Sequence, residues 1–197
     1  QLDIFNTTQG DPLEVAAEMH ELLPHFDLAH IGLHWYVWDT IAFDTHYPDY
    51  FPAKPHFESV AAALANQSVH VFPYINGRLF SIHAVEWNSS KQPKECAVKV
   101  LRRTRTDYSE ADVMLHTESY GSGDTFVVPC PHTPYWQQLL SSIIAKCQAL
   151  KVPGLYIDQI AAAGPIPCFD YRHSHPVGGG SWWAEGYRSI LQPFNRR

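Results

Sequence analysis

The chain has 197 residues, of which 45% are hydrophobic and 17% are charged, and its formal net charge is -6. This composition is sufficient for a sizeable core and is not typical of a disordered chain. The negative net charge does not favour binding to nucleic acid, and no run approaches the roughly 18 consecutive apolar residues of a membrane span. We therefore expect neither a nucleic-acid partner nor a membrane-spanning segment.

The first half of the chain alternates between helical and strand patterns. A helix with an apolar face begins at Asp11-Pro12 and is predicted to end near Pro24. Residues 31–38 are rich in strand formers and lead into a long polar loop, residues 57–65 are helical, and residues 69–76 form a second strand. This order predicts parallel strand pairing with right-handed crossovers.

Residues 77–125 interrupt this alternation, and we expect them to form an irregular excursion from the sheet. Within them, residues 98–102 have the composition of a short strand or extended arm. The alternation returns with a short predicted strand over residues 126–129 and a helix from Thr133-Pro134 to Leu150 that carries an apolar stripe. After a turn-rich loop over residues 161–180, a final helix is predicted to begin at Ser181.

The strand pattern over residues 155–157 ends on a carboxylate, Asp158. A parallel strand is buried on both faces, so its interior is expected to be apolar. Asp158 would then lie at the edge of the sheet where barrels and open α/β sheets place their chemistry. Asp158 is therefore our first candidate for a catalytic group, and the alternative is that it caps the following turn or pairs with a cation.

About four strands of this kind can be counted, whereas a complete (β/α)8 barrel has eight strands and about 250 residues. We therefore predict an α/β fold over residues 1–197 that is a partial or complete TIM-barrel-like domain, and we expect it to be a fragment of a larger barrel. An open parallel sheet has unpaired edges. Further polypeptide, or copies of the same chain, are expected to cover them.

Five motifs follow one another along the chain: His34-Trp35-Tyr36-x-Trp38, the run from Phe43-Asp44 to Phe51-Pro52, Pro73-Tyr74-Ile75-Asn76-Gly77-Arg78, Tyr156-Ile157-Asp158-Gln159-Ile160 and the run from His173 to Gly180. In this order they resemble a family of glycoside-hydrolase-like TIM barrels that is distantly similar to endo-α-N-acetylgalactosaminidases and α-galactosidases. The resemblance extends from about residue 31 to residue 191, which is most of the chain.

The resemblance implies a retaining glycoside hydrolase in which Asp158 is the nucleophile and forms a glycosyl-enzyme intermediate. This chemistry needs a second carboxyl about 5 to 5.5 Å away that protonates the leaving oxygen. In the related barrels the acid comes from a strand further along, and no matching strand precedes Arg197. Glu118 is the in-chain candidate for the acid, while Glu185 on the last helix is expected to face solvent.

Sugar contacts are predicted at aromatic and polar positions near the strand ends. Aromatic rings would stack on apolar sugar faces, although about half of residues 34–38 should instead face the core. The Asp44 side chain would bind a sugar hydroxyl or stabilise its own loop. The predicted substrate-binding residues are His34, Trp35, Tyr36, Trp38, Asp44, Asn76, Arg78, Gln159, His173 and His175.

We expect no cofactor and no bound metal. His173 and His175 lie near Cys168 and Asp170 in sequence, but their spacing fits no zinc pattern, and a hydrogen-bonded loop wall beside Asp158 is preferred. The four cysteines lack a C-x-x-C pair. They could form two disulfides or remain as buried thiols.

Asn6, Asn66 and Asn88 each begin an N-glycosylation acceptor pattern, which favours a secreted, extracellular glycoprotein. The expected function is a secreted carbohydrate-active protein of the retaining glycoside hydrolase type. The alternative is a non-catalytic glycoprotein of glycosidase ancestry that serves glycan binding or structural assembly, because fold does not fix function.

Overall fold

A computed structural model describes the backbone of residues 2–6 and, in full, residues 11–26, 31–102 and 107–195. The helices are α1 (Pro12–Leu22), α2 (Phe57–Asn66), α3 (Val85–Ser89), α4 (Gln92–Cys96), α5 (Pro134–Ala149) and α6 (Trp182–Leu191). The strands are β1 (Leu2–Asn6), β2 (Ile31–Trp35), β3 (Val69–Asn76), β4 (Phe80–Ser81), β5 (Lys99–Leu101), β6 (Val113–Leu115), β7 (Thr117–Ser119), β8 (Thr125–Val127) and β9 (Tyr156–Asp158). Across these residues no helix is both long and apolar enough to cross a membrane.

The chain divides into two compact units. The first comprises residues 1–43, 50–75 and 143–158, and the second comprises residues 44–49, 76–142 and 159–197. Each unit has its own sheet structure and its own buried core, and they are described in turn.

The first unit contains a four-stranded sheet in the order β1-β2-β3-β9. Strand β2 pairs in parallel with both neighbours, so that Leu33 lies opposite Ile4 on one side and Val71 on the other. This confirms the predicted parallel pairing of the two long strands. The strand β1 was not predicted, although Leu2-Asp3-Ile4-Phe5 has the alternation of a half-buried strand.

The helices of the first unit follow their sequence signals. The Asp11 carboxylate accepts a hydrogen bond from the Leu13 backbone N–H at 2.7 Å, and Glu14 accepts one from the Asp11 N–H at 3.2 Å, which forms a capping box. Helix α1 buries Val15 and Met19. Their burial against the rest of this unit removes apolar surface from water and holds the helix in place.

Strand β9 lies at an edge of the sheet as described, and its three residues are half-buried. The interior of this strand is apolar, as expected, but the strand is less buried than the sequence indicated. The central strand β2 differs, since Ile31 and Leu33 are completely buried. An edge strand has a neighbour on one side only, which explains the contrast.

The second unit contains an antiparallel sheet in the order β4-β8-β7 and a separate antiparallel pair, β5 and β6. The predicted strand near residues 126–129 is therefore real, but it belongs to this sheet and not to the parallel one. The predicted excursion over residues 77–125 consists of the short elements from β4 to β8, and its expected extended segment is β5.

The second unit has an aromatic core and one close approach between a helix and the backbone of a neighbouring segment. Phe80, Phe126 and Trp136 are completely buried and form part of its core. Gly186 in α6 lies so close to the backbone of Pro131 that an added Cβ would be 2.6 Å from the Pro131 carbonyl carbon and oxygen. Only glycine permits this contact between the helix and the neighbouring segment.

Candidate active site

Asp158 is the last residue of β9, as the sequence predicted. Its Oδ2 atom accepts a hydrogen bond of 3.1 Å from the hydroxyl of Tyr74, which lies on the neighbouring strand β3. A hydroxyl donor stabilises the ionised form of a carboxylate and restricts its orientation. Asp158 is half-buried, so its carboxylate combines a defined orientation with partial access to solvent.

The ring of Tyr74, whose hydroxyl donates to this carboxylate, belongs to a group of aromatic rings within the first unit. Tyr36 stacks on Tyr74 with ring centroids 4.8 Å apart, and Phe43 contacts both rings at 5.5 and 5.3 Å. Burial, together with a hydrogen bond and charge from Tyr156 and the charge of Asp158, raises the pKa of Tyr36 to about 12. Tyr36 is therefore a neutral hydroxyl at physiological pH, able to donate or accept a hydrogen bond.

His34 also belongs to this aromatic group. Its ring lies 4.8 Å from that of Tyr156 and 5.7 Å from that of Phe72. His34 and Tyr36 are half-buried and alternate along the chain with the fully buried Trp35. Among the predicted substrate-binding residues, His34 and Tyr36 therefore belong to the group of aromatic rings that includes Tyr74, the hydrogen-bond donor to Asp158.

Trp35 and Trp38 are not available to a sugar, because both are completely buried. Trp35 packs edge-on against Phe57 with centroids 5.0 Å apart. The indole N–H of Trp38 donates a hydrogen bond of 2.7 Å to the Tyr74 carbonyl oxygen, so this side chain helps to fix the strand that carries the Tyr74 hydroxyl. Their prediction as a sugar platform is wrong, in line with the expectation that about half of these residues face the core.

A second polar cluster lies in the second unit and is centred on Glu118. Both carboxylate oxygens accept hydrogen bonds of 2.7 Å from the guanidinium of Arg78, and they also contact His116 at 3.0 Å and the Tyr120 hydroxyl at 2.7 Å. The hydrogen bonds from Arg78 outweigh burial and hold the pKa of Glu118 at about 2. A general acid must carry a proton near neutral pH. The permanent charge of Glu118 therefore argues against the role of acid.

Arg78 and Asn76 also differ from their predicted role. Arg78 is only 4% exposed, and its guanidinium is engaged by Glu118 and by the Gln159 side-chain oxygen at 3.3 Å. Asn76 is completely buried, and its Oδ1 atom accepts hydrogen bonds from the backbone N–H groups of Arg78 and Leu79. This Asx-type turn positions Arg78, so both residues support the local structure and neither is free to contact a sugar.

Gln159 and Asp44 are half-buried members of the second unit. Both have positive φ angles, 66° and 61°, which indicates that the surrounding structure holds them in uncommon backbone conformations. The Asp44 backbone N–H donates to the Tyr47 hydroxyl at 3.0 Å, and its carbonyl accepts from Ser122 at 2.6 Å. Their predicted contacts with sugar stay predictions.

His173 and His175 are each 8% exposed and lie beside Cys130 and Cys168 in the second unit. Both side chains are largely buried, so their predicted contacts with substrate stay predictions. All four cysteines are buried free thiols. Of the two alternatives for the cysteines, the structure therefore supports buried thiols and not disulfides.

Asn66 at the end of α2 and Asn88 in α3 are exposed, which glycosylation requires. The side chain of Asn6, with the rest of its acceptor pattern, lies outside the described residues. Glycosylation and secretion stay predictions.

Sequence reasoning missed Tyr74 and Phe43 as members of the site, although both were part of the quoted motifs. The usable signal for Tyr74 was its position two residues before the end of the strand pattern over residues 69–76. Neighbouring strands of a sheet bring side chains near their ends together.

The chain matches, over residues 1–197, the family described as "Domain of unknown function (DUF6259)". It is 37% identical over 207 residues to "Putative glycoside hydrolase 22789" of Monosiga brevicollis, covering 99% of this chain and 17% of that protein. It is also 37% identical over 162 residues to "Putative glycoside hydrolase" of Bacteroides thetaiotaomicron, covering 82% of this chain and 22% of that protein. The chain thus spans about a fifth of the length of these curated relatives.

Solved structures of glycosidase barrels have a similar fold. An α-N-acetylgalactosaminidase of Bifidobacterium bifidum, in complex with GalNAc, matches with a TM-score of 0.71 and 14% identity, over 93% of this chain and 28% of that chain. An α-galactosidase of Thermus thermophilus, in complex with stachyose, matches with a TM-score of 0.67 and 8% identity, over 98% of this chain and 38% of that chain. At these identities the likeness concerns the fold, and it extends to part of each barrel. The resemblance to glycoside-hydrolase-like barrels is confirmed.

Proposed function

We propose that this chain, which belongs to the DUF6259 family, forms part of the catalytic barrel of a retaining glycoside hydrolase in which Asp158 is the nucleophile. The observation that carries the proposal is the position of Asp158 at the end of β9, where its carboxylate accepts a hydrogen bond from Tyr74, whose ring stacks on that of Tyr36. Relatives named as glycoside hydrolases support a glycosidase-related function.

The proposed reaction follows from what a fixed, partly buried carboxylate can do. Asp158 Oδ attacks the anomeric carbon as the bond to the leaving oxygen breaks, and an ester between Asp158 and the sugar forms. Water then attacks the same carbon and releases the sugar with its configuration retained. The hydrogen bond from the Tyr74 hydroxyl orients the carboxylate before the attack, and it weakens as the ester forms and the negative charge is lost.

We assign the general acid to polypeptide beyond the described residues of this chain. Glu118 is held ionised by Arg78, so it cannot donate a proton to the leaving oxygen near neutral pH. The curated relatives are several times longer than this chain, which leaves room for such a contribution in proteins of this kind. The same polypeptide, or copies of the chain, would cover the edge strands β1 and β9.

The proposed substrates are α-linked galactose-type sugars, because the similar solved structures include an α-N-acetylgalactosaminidase and an α-galactosidase. Tyr36 and Phe43 would provide the aromatic surface for an apolar sugar face, since Phe43 is 38% exposed and Tyr36 is half-buried. The protein would act outside the cell and carry glycans at exposed acceptor sites such as Asn66 and Asn88.

The test is Asp158→Asn in the full-length gene product. Turnover of p-nitrophenyl α-galactoside and p-nitrophenyl α-N-acetylgalactosaminide should fall by about a thousandfold or more, because the amide keeps the shape but cannot act as a nucleophile. Calorimetric binding of the free sugar should be largely unchanged. Glu18→Gln, at an exposed carboxylate on α1, is the control and should behave as wild type.

Unchanged turnover in Asp158→Asn would remove Asp158 from the mechanism. Sugar binding by the wild-type protein without hydrolysis of any α- or β-linked galactoside would instead support the non-catalytic alternative. These two outcomes are distinguishable because hydrolysis is present in both the wild-type protein and the variant in the first, and is absent from the wild-type protein in the second.

A further inference from the structure

The second unit contains a buried cluster of metal-binding side chains that the proposed glycosidase chemistry does not use. Cys130, Cys168, His173 and His175 each offer one ligand atom, and these four atoms all lie within 4.8 Å of one another. Both cysteines are completely buried and both histidines are 8% exposed. Two thiols and two imidazoles are the ligand set that tetrahedral zinc sites use.

The first histidine presents the correct nitrogen. His173 Nε2 lies 2.8 Å from the carbonyl oxygen of Glu95. A carbonyl can only accept, so Nε2 carries the proton and the lone pair of the neutral ring is on Nδ1. His173 Nδ1 lies 3.4 Å from the sulfur of Cys168. This is close to the separation of about 3.6 Å expected for sulfur and nitrogen ligands on one tetrahedral zinc ion with ordinary bond lengths.

The second histidine, His175, has the opposite tautomer, and its ligand atom lies in the same cluster. His175 Nδ1 lies 2.8 Å from the Pro176 carbonyl oxygen, so Nδ1 carries the proton and Nε2 carries the lone pair. Among the described residues, His175 Nε2 is buried and has no hydrogen-bond partner. Such an atom costs free energy unless something binds it. A backbone carbonyl that accepts the other N–H is the usual support of a metal-binding histidine.

Backbone hydrogen bonds fix the two cysteines. The Cys130 N–H donates to the Cys96 carbonyl at 2.8 Å. Cys168 exchanges two hydrogen bonds, of 3.1 and 2.6 Å, with Gly178, which closes the loop that carries both histidines. Gly178 has a φ of +92°, a conformation that strongly favours glycine. The indole of Trp182 stacks on the His175 ring at 3.7 Å and restricts its rotation.

We propose that Cys130, Cys168, His173 and His175 bind one zinc ion. Binding releases the two thiol protons to solvent, forms two Zn–S and two Zn–N bonds, and involves no change of oxidation state. Bond lengths of about 2.3 Å to sulfur and 2.0–2.1 Å to nitrogen require ligand separations of about 3.4–3.8 Å, so the widest pair closes by about 1 Å on binding.

The site is structural in character, because the protein supplies all four ligands and they are buried. It would fasten the loop over residues 168–178 to the segment that follows β8. The sequence spacing fits no zinc pattern because Cys130 lies 38 residues before Cys168 and enters the cluster through the fold. The inference is independent of the proposed function, since it concerns no residue of the Asp158 site.

The experiment is metal analysis of the full-length protein, purified without a metal-affinity tag or chelator, by inductively coupled plasma mass spectrometry. We expect the wild-type protein to contain one more zinc ion per chain than either Cys168→Ser or His175→Asn. Cys147→Ser is the matched control, because Cys147 is also buried and free but lies in the first unit. It should keep the full zinc content.

A second measurement uses only the wild-type protein, so it tests the proposal even if the variants do not fold. The wild-type protein, stripped of metal and reloaded with Co²⁺, should show thiolate-to-cobalt charge transfer and the intense visible bands of a tetrahedral centre. Absence of these bands, or of zinc after incubation with Zn²⁺, would overturn the proposal. Equal zinc in the wild-type protein and in folded Cys168→Ser and His175→Asn would overturn it as well, since the metal would then bind elsewhere.

Discussion

Removing the charge of Glu118 should destabilise the protein, and the size of the effect follows from its surroundings. In Glu118→Gln the side chain keeps its shape, but the buried guanidinium of Arg78 loses its charged partner. Hydrogen bonds from Arg78 first, and then from Tyr120 and His116, lower the pKa of Glu118 from 4.5 to about 2 against the opposing effect of burial. At 1.36 kcal/mol per pKa unit, this net shift corresponds to about 3 kcal/mol. The figure agrees with the 3–5 kcal/mol typical of breaking a buried ion pair.

The dependence on pH has a definite sign. A carboxyl group whose pKa is lower in the folded state binds fewer protons there than in the unfolded state, so it stabilises the fold above pH 4.5. This stabilisation is lost as the pH falls from about 4.5 towards 2. The wild-type protein should therefore lose stability over this range, and Glu118→Gln should lose less, so that the two converge at low pH.

The assay is thermal unfolding followed by calorimetry at pH 7 and at several lower values. A loss of about 3 kcal/mol lowers Tm by about 6–12 °C for a domain of this size. Glu18→Gln is the matched control, because Glu18 is exposed on α1 and should shift Tm little. If Glu118→Gln melts at the same temperature as Glu18→Gln at pH 7, the ion pair does not stabilise the fold as argued.

Three further outcomes follow from the structure. Tyr74→Phe removes the hydrogen bond to Asp158, so kcat/KM on a competent α-galactoside should fall by about tenfold while the fold is kept, and unaltered kinetics would show that the bond is not used. Burial raises the pKa of Asp39 to about 7. The free energy of unfolding of the wild-type protein should therefore fall between pH 4 and pH 7. In Asp39→Asn, thermal melts should show a fall that is smaller by up to about 4 kcal/mol, and equal falls in the two proteins would contradict the raised pKa. Glycosidase release of N-glycans from protein secreted by eukaryotic cells should reduce its mass, and Asn66→Gln and Asn88→Gln should each remove part of that difference, whereas an unchanged mass would exclude the glycans.

The parts of the fold that follow local rules were predictable. Strands β2 and β3 and the Asp11 cap of α1 have strong local patterns, and the position of Asp158 at a strand end followed from a short apolar run after a breaker cluster. The membership of the strand near Phe126 was not predictable in this way. A short apolar strand has the same pattern whether its partners are parallel or antiparallel, and only the tertiary contacts decide.

The roles of the site residues were harder to predict, because a side chain's surroundings depend on segments distant in sequence. Trp38 follows a strand and looks like a sugar-stacking ring, yet it is buried and donates to Tyr74. The sequence shows no partner for Glu118, whereas in the structure Arg78, 40 residues earlier, donates hydrogen bonds to its carboxylate. Likewise, the spacing of His173 and Cys168 gave no zinc pattern because Cys130 is distant in sequence.

The most direct test of the central claim is the covalent capture of the nucleophile. The full-length protein would be treated with a cyclitol epoxide of α-galactose configuration, which forms an ester with the nucleophile of a retaining enzyme, and the labelled peptide would be sequenced by mass spectrometry. If Asp158 is the nucleophile, the wild-type protein should carry one adduct, on Asp158; free galactose should slow its formation, and Asp158→Asn should lack it. An adduct on a different carboxylate, or steady hydrolysis without any label on Asp158, would contradict it.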